Sequence, residues 1–410
     1  MSAGAGTEAG VALAAAPAWW RSRRWGIVGA LSITETVSWG IVYYAFAVFL
    51  VPMQRDLGLS TAQLTGAFSL ALLASALTGV AVGRYLDRHS PRGLMTVGSI
   101  AATGLVLAWS RVDGLAGVYA LWIGLGLVMA AVLYEPAFTV VAKWFPDGAE
   151  RRRALTALTL VAALASFIFL PVSQALVDAH GWRDALVILA VILGAATIPL
   201  HALVLRRPPS QPSAGQRHGA SRSAAAVLRS APFWLLSGAF FLASLTGISM
   251  TVHAIPYLLE RGHDPTFAAF AVGLIGVSQI PGRVLFAVAA ARLPRPAAIT
   301  AVFATIAAGI AVIVGLPGSI ALLLGFVLLG MGNGMTTLAR AAAIADHYGP
   351  AAYGTIAGVA AAVTTVARAA APVTAALYAA AAGYTALLWT LAVLAAGAAA
   401  LAYRAERSLT

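Results

Sequence analysis

Long apolar runs fill most of this chain, separated at intervals by short clusters of arginine, aspartate, proline and glycine. A helix needs about 20 apolar residues to cross roughly 30 Å of hydrocarbon. Twelve stretches qualify: 25–53, 61–86, 93–110, 115–144, 154–177, 184–205, 232–260, 265–291, 297–315, 319–344, 353–380 and 384–403. The pattern predicts an all-α integral membrane protein. Residues 206–231, holding Pro208, Pro209, Pro212, Gly215 and Gly219, read as a flexible cytoplasmic linker between an N-terminal bundle, 25–205, and a C-terminal bundle, 232–405.

Composition agrees: the 410 residues are 60% hydrophobic and only 10% charged, against about 25% charged in a soluble domain. Cysteine is absent, so disulfides and thiolate metal or redox chemistry are excluded. The N-terminal 1–24 places a short apolar piece before the basic cluster Arg21, Arg23 and Arg24, the reverse of a signal peptide. It reads as a disordered cytoplasmic tail.

The net charge of +12 would suggest nucleic acid in a soluble protein, but the distribution of basic residues argues otherwise. With the N-terminus inside, 19 of the 26 lysines and arginines fall in cytoplasmic loops and 4 in opposite loops. The remaining three, Arg283, Arg340 and Arg368, lie within spans. That bias predicts a multi-pass protein of the cell membrane with both termini cytoplasmic and no nucleic-acid partner.

The two bundles also repeat. Pro171-Val172-Ser173 with Gly181-Trp182 matches Pro372-Val373-Thr374 with Gly383-Tyr384 at an offset of 201 to 202, and Trp144 and Pro146 match Tyr348 and Pro350 at 204. Matches at a near-constant offset, at equivalent helix ends, argue for a duplicated six-helix unit.

These twelve spans in two halves, a basic central loop and the stretch Gly83-Arg84-Tyr85-Leu86-Asp87-Arg88-His89-Ser90-Pro91-Arg92 resemble the major facilitator superfamily. The stretch looks like its G-x-L-x-D-R-x-G-R-R pattern between helices 2 and 3. Gly83, Asp87, Arg88 and Arg92 fit, and Ser90-Pro91 departs. The resemblance implies a gate in which Gly83 allows close helix approach and Asp87 bonds a neighbouring helix start or an arginine. The alternative is an ordinary anchoring loop. Within the superfamily the chain is most similar to the monocarboxylate porters and oxalate/formate antiporters, through Gln279-Ile280-Pro281-Gly282-Arg283 in span 8, Arg368 in span 11 and Phe169-Leu170-Pro171 in span 5. Some members of that branch place aspartate where Gln279 stands, and the oxalate type places lysine where Arg368 stands.

Arginine at a bilayer centre costs about 2.5 to 3.5 kcal/mol on insertion scales, so Arg283 and Arg368 are expected to face a cavity or an anion. A planar guanidinium holds a carboxylate bidentately. Gln279 shares the face of Arg283, and Tyr43, Tyr44 and Asn333 are candidate cavity donors. Glu35 and Glu135 are candidate protonation sites, with helix packing as the alternative for Glu35. The offset pairs Glu135 with the neighbour of Arg340, which suggests a cytoplasmic gate between the two. His253 is a candidate proton coupler, or a hydrogen-bonded packing residue. His89 and His347 read as isolated, solvated helix-end residues.

A Walker A loop needs Gly-Lys-Ser/Thr, but the one lysine, Lys143, precedes Trp144. No metal-ligand or nucleophile-base spacing appears, so neither an enzyme nor a cofactor or metal is expected. The reading is a secondary transporter of a small organic anion, a mono- or dicarboxylate, by alternating access with proton symport, sufficient as a monomer. The alternatives are an exporter of drug-like or hydrophobic compounds and a membrane sensor with the same fold. Span 5 lacks the exporters' Gly-x-x-x-Gly-Pro, which favours the first reading.

Overall fold

A computed structural model describes residues 18–206, 224–349 and 352–409. The expected tail up to residue 17 and the linker stretch 207–223 lie outside the described residues. The first span is built from α1 (Ala18–Ser38), a π-helical turn Trp39–Tyr44 and α2 (Phe46–Leu57). There follow α3 (Thr61–Arg88), α4 (Pro91–Trp109), α5 (Gly114–Val132), α6 (Tyr134–Trp144), α7 (Gly148–Ala162) and α8 (Leu164–Pro199), which runs into a second π-helical turn, Leu200–Val204. The C-terminal part comprises α9 (Ala224–Leu228), α10 (Ala231–Glu260), α11 (Pro265–Arg292), α12 (Arg295–Gly315), α13 (Ser319–Tyr348), α14 (Tyr353–Ala382) and α15 (Tyr384–Arg407).

Eleven continuous helical stretches among the described residues are long and apolar enough to cross a membrane. The longest, Gly148–Val204, contains Gly181 at φ 76 and ψ 165, a conformation that breaks the helix and favours glycine. Split there, it supplies spans 5 and 6, for twelve in all. Gly383, the repeat partner of Gly181, has nearly the same backbone at φ 82 and ψ 162. The duplicated sequence thus ends its helices in the same way twice. Local signals open the helices between: Ser60 and Gln63 form a reciprocal capping box on α3, and the Asp147 side chain accepts from the Glu150 amide at 2.8 Å on α7.

Within the second bundle α11 and α12 pack on α13, and α10 and α12 on α15; within the first, α3 packs on α5 and α4 on α8. Between the bundles α3 meets α14 along an extended contact, and α7 meets α11 and α13. The α3–α14 crossing is glycine-lined: a Cβ on Gly83 would lie 2.0 Å from the Gly354 carbonyl oxygen, so only a bare backbone fits. Asp87, one turn on, caps α14. Its carboxylate accepts from the amides of Gly354 and Thr355, each at 2.9 Å, and from the Thr355 hydroxyl at 2.6 Å. Arg88 and Arg92 are exposed.

Ion pairs gather at this same arginine-rich end. Asp346 of α13 pairs across the bundles with Arg151 and with Arg152 at 3.3 Å, and within its own bundle with Arg295 at 2.9 Å.

Three expectations need correction. Residues 18–24 are helical rather than tail, and Arg24 is buried, paired with Glu150 at 2.9 Å and set over the Phe145 ring. In the expected linker, Ala224–Leu228 is helical with Val227 buried, because that turn packs on α14. His347 is not solvated: its Nε2 lies 2.7 Å from Glu406 in a buried pair.

Candidate functional site

A cavity of about 650 Å³ lies between the bundles. Arg283 lines it from α11. Gly282 packs against the backbone of Met331 on α13, where an added Cβ would lie 2.3 Å from the carbonyl oxygen, and that contact holds the neighbouring Arg283 in place. Arg283 is buried, and its Nη1 donates across the bundle interface to the Thr159 carbonyl. Its Nε has no partner among the described residues. Arg368, also on the wall, is exposed to the cavity and forms no hydrogen bond or ion pair among the described residues. Gln279 lines the same wall, its backbone held tightly against Gly334 of α13.

The opposite wall is aromatic. In the π-helical turn, Ala45 N–H bonds to Gly40 at 2.9 Å, five residues back, and the wider turn brings Trp39, Tyr43 and Tyr44 to one side. Ring centroids lie 5.0 Å apart for Trp39 and Tyr43 and 5.1 Å for Tyr43 and Tyr44. Tyr134 joins from α6, 5.0 Å from Trp39. Behind this wall Glu35 is fully buried and accepts from the Trp39 indole at 3.1 Å, while its Oε1 has no partner among the described residues. The next residue in the wall, Glu135, pairs with Arg340 at 2.6 Å, joining α6 to α13.

The structure therefore brings Arg283, Arg368, Gln279, Tyr43, Tyr44, Glu135 and Arg340 to one cavity. It puts three candidates outside that lining: Glu35 behind the wall, as described, and Asn333 and His253. Asn333 sits beside Gly247 of α10, 2.8 Å from where a Cβ there would be, and is outside the cavity lining. His253 is buried with Nε2 3.1 Å from the Pro372 carbonyl, tying α10 to α14. Trp39 and Tyr134 are lining residues that the sequence reading passed over. The four-residue step from Glu35 to Trp39 and the adjacency of Tyr134 to Glu135 were the available signals.

The profile of the Major Facilitator Superfamily matches residues 31–372 and 243–409. The chain belongs to that superfamily. Among curated relatives of this major facilitator, the oxalate:formate antiporter of Oxalobacter formigenes is 28% identical over 240 residues, covering 58% of the chain and 55% of that protein. Monocarboxylate transporter 13 of Bos taurus is 27% identical over 285 residues, covering 67% and 63%. The chain thus spans only a little over half the length of these relatives. In fold it resembles the transporter FucP in its outward conformation, with a TM-score of 0.68 at 16% identity over 93% of this chain and 98% of that one. The human organic anion transporter MFSD10 gives 0.69 at 17% over 92% and 99%.

Proposed function

We propose that this major facilitator is a secondary active transporter of a small organic anion, a mono- or dicarboxylate, bound by Arg368 and Arg283 against the aromatic wall. One observation carries the reading: the Arg368 guanidinium, unpaired among the described residues and facing the cavity. An unneutralised cation at membrane depth is costly, and an anionic ligand would satisfy it. The relatives named above, an oxalate:formate antiporter and a monocarboxylate transporter, support the same class.

The arginine bias between loops supports an orientation with both termini cytoplasmic. In that orientation the glycine crossing, the Asp87 cap and the Glu135–Arg340 pair close the cytoplasmic side, and the cavity serves the outside in alternating access. Proton symport would offset the electrical work of moving the anion, about 2.3 kcal/mol per charge per 100 mV. Glu35 is the carboxyl placed to serve it.

Thermal unfolding of the purified chain against carboxylates, organic cations and neutral hydrophobes tests the anion site. A ligand at about 100 times its Kd adds roughly 2.7 kcal/mol of stability. Stabilisation by carboxylates that disappears in Arg283→Ala or Arg368→Ala is expected; stabilisation by cations or neutral compounds alone overturns the reading.

A further inference from the structure

The last turn of α13 carries two titratable residues side by side, and each reaches a different part of the molecule. Asp346 meets Arg151 and Arg152 of α7 and Arg295 of α12. His347 meets α15, its Nε2 2.7 Å from Glu406, with only 4% and 0% of the two side chains exposed. Gly349, at φ 71, ends the helix just beyond them. His347 and Glu406 lie past the apolar stretches 319–344 and 384–403, at the arginine-rich face.

At a helix end the charge on a side chain has a definite sign of effect. The last carbonyls of α13 have no partners within the helix and carry partial negative charge, so a protonated imidazole in that turn stabilises it and a carboxylate there weakens it. Glu406 occupies the same unfavourable position in the last turn of α15. A proton on His347 therefore acts twice: it completes an ion pair with Glu406 and it complements the end of α13. The charged groups around the imidazole are Asp346 on its own helix, Glu406 from α15, Arg295 from α12 and Arg152 from α7, and together they line a cavity of about 30 Å³. Neighbouring α11 presents Phe286 and Ala290 there, and α10 meets the turn through Phe233 on Tyr348. The nearest titratable group of α14 is Tyr353, whose hydroxyl is bonded to the Ala341 carbonyl, almost two turns back.

We propose that His347 is a pH sensor that sets how firmly the arginine-rich end of the molecule is closed. With the imidazole protonated, the last turn of α13 is held to α15, and Asp346 is kept in place between Arg295 of its own bundle and Arg151 and Arg152 of the other. As pH on that side rises through the histidine range, the pair loses its cationic member and the turn loosens. Asp346 then parts more readily from α7, and the end opens more often. The small cavity is large enough for water, which gives the proton a route to the arginine-rich side. The inference rests on the reading of this end as a gate and not on the anion site.

Pulsed EPR on the full chain in lipid nanodiscs tests it. Because the chain has no cysteine, Arg153→Cys on α7 and Arg292→Cys on α11, both exposed and in opposite bundles, take a spin-label pair free of background. The expected result is a ratio of long to short label distances that rises about fivefold or more between roughly pH 5 and 8. In His347→Gln and in Glu406→Gln the ratio should no longer depend on pH, and the double variant should match the singles, because both act through one bond. The two changes are isosteric amides at opposite ends of that bond, so either one decides the matter if the other fails to fold. A ratio constant with pH in the parent, or a pH dependence that survives these substitutions, overturns the sensor. Asp346→Asn separates that failure from failure of the gate: a longer label distance there without any pH effect in the parent overturns the sensor alone, whereas distances unmoved by Asp346→Asn and by pH overturn both.

Discussion

Arg283 of α11 is hydrogen-bonded through Nη1 to the Thr159 carbonyl at the end of α7, so the candidate substrate cation also joins the two bundles. A carboxylate arriving at Arg283 would compete with that carbonyl for the same guanidinium. Binding would then loosen a contact that holds one face of the molecule closed, which is the kind of differential interaction a ligand needs to shift a conformational equilibrium.

The fork geometry matters to this coupling. Lysine keeps the charge but offers a single mobile ammonium instead of a planar pair of donors. Arg283→Lys is expected to weaken the best carboxylate of the thermal panel by about tenfold or more, near 1.4 kcal/mol. Calorimetric titration of purified variant and parent measures it. Equal affinity would mean that charge alone is read at this position.

Glu135 and Arg340 lie 2.6 Å apart between α6 and α13, and the other carboxylate oxygen of Glu135 has no partner among the described residues. Glu135→Gln leaves the arginine without its counter-charge and should destabilise the closed end by about 2 kcal/mol. Because the chain has no cysteine, a single one placed at Ala162 in the cavity wall reports access cleanly. Its labelling from the arginine-rich side should rise in Glu135→Gln and fall back when Glu135→Arg is combined with Arg340→Glu. Labelling that ignores all three changes would remove the pair from the gate.

At the α3–α14 crossing the limit is steric. The Gly83 Cβ position clashes with the Gly354 oxygen at 2.0 Å, and the obstacle is backbone, which cannot rotate aside. Gly83→Ala should force the helices apart at a cost of about 1 to 3 kcal/mol and shift the same cysteine toward access from the arginine-rich side. Asp87→Asn should move it the same way more weakly, since the amide keeps one oxygen acceptor for three donors. A lower melting temperature without any change in access would make both residues purely structural.

Much of the fold was legible because it follows from local pattern. Apolar length marked the twelve spans, and the repeated Gly181-Trp182 and Gly383-Tyr384 steps foretold two helix ends that share a backbone conformation. Of the residues lining the cavity, those out of place in hydrocarbon, Arg283, Arg368, Glu135 and Arg340, were legible, as were Gln279, Tyr43 and Tyr44 as polar groups within spans. The other half of the aromatic wall was not, because Trp39 and Tyr134 are unremarkable in an apolar run until a π-helical turn and a helix break face them toward the same space. Nor were Asp346 and His347 legible: their partners Arg151 and Glu406 are 195 and 59 residues away, and only packing brings them together. Arg24 looked like a tail residue for the same reason.

Glu35 offers the sharpest test of coupling. It is wholly buried, one oxygen holds the indole of Trp39, and the other has no partner among the described residues. Gain or loss of a proton there would change the charge directly behind the aromatic wall, whereas Gln preserves the shape and an acceptor for the indole. Glu35→Gln in proteoliposomes should therefore reduce uptake driven by a pH gradient by about tenfold while exchange of labelled for unlabelled substrate, which needs no net proton movement, continues. Loss of both activities together would instead assign Glu35 to holding Trp39 in place. Retention of both would move proton coupling to another group, and the pair Glu135 and Arg340, the next titratable residues along the wall, would be the place to look.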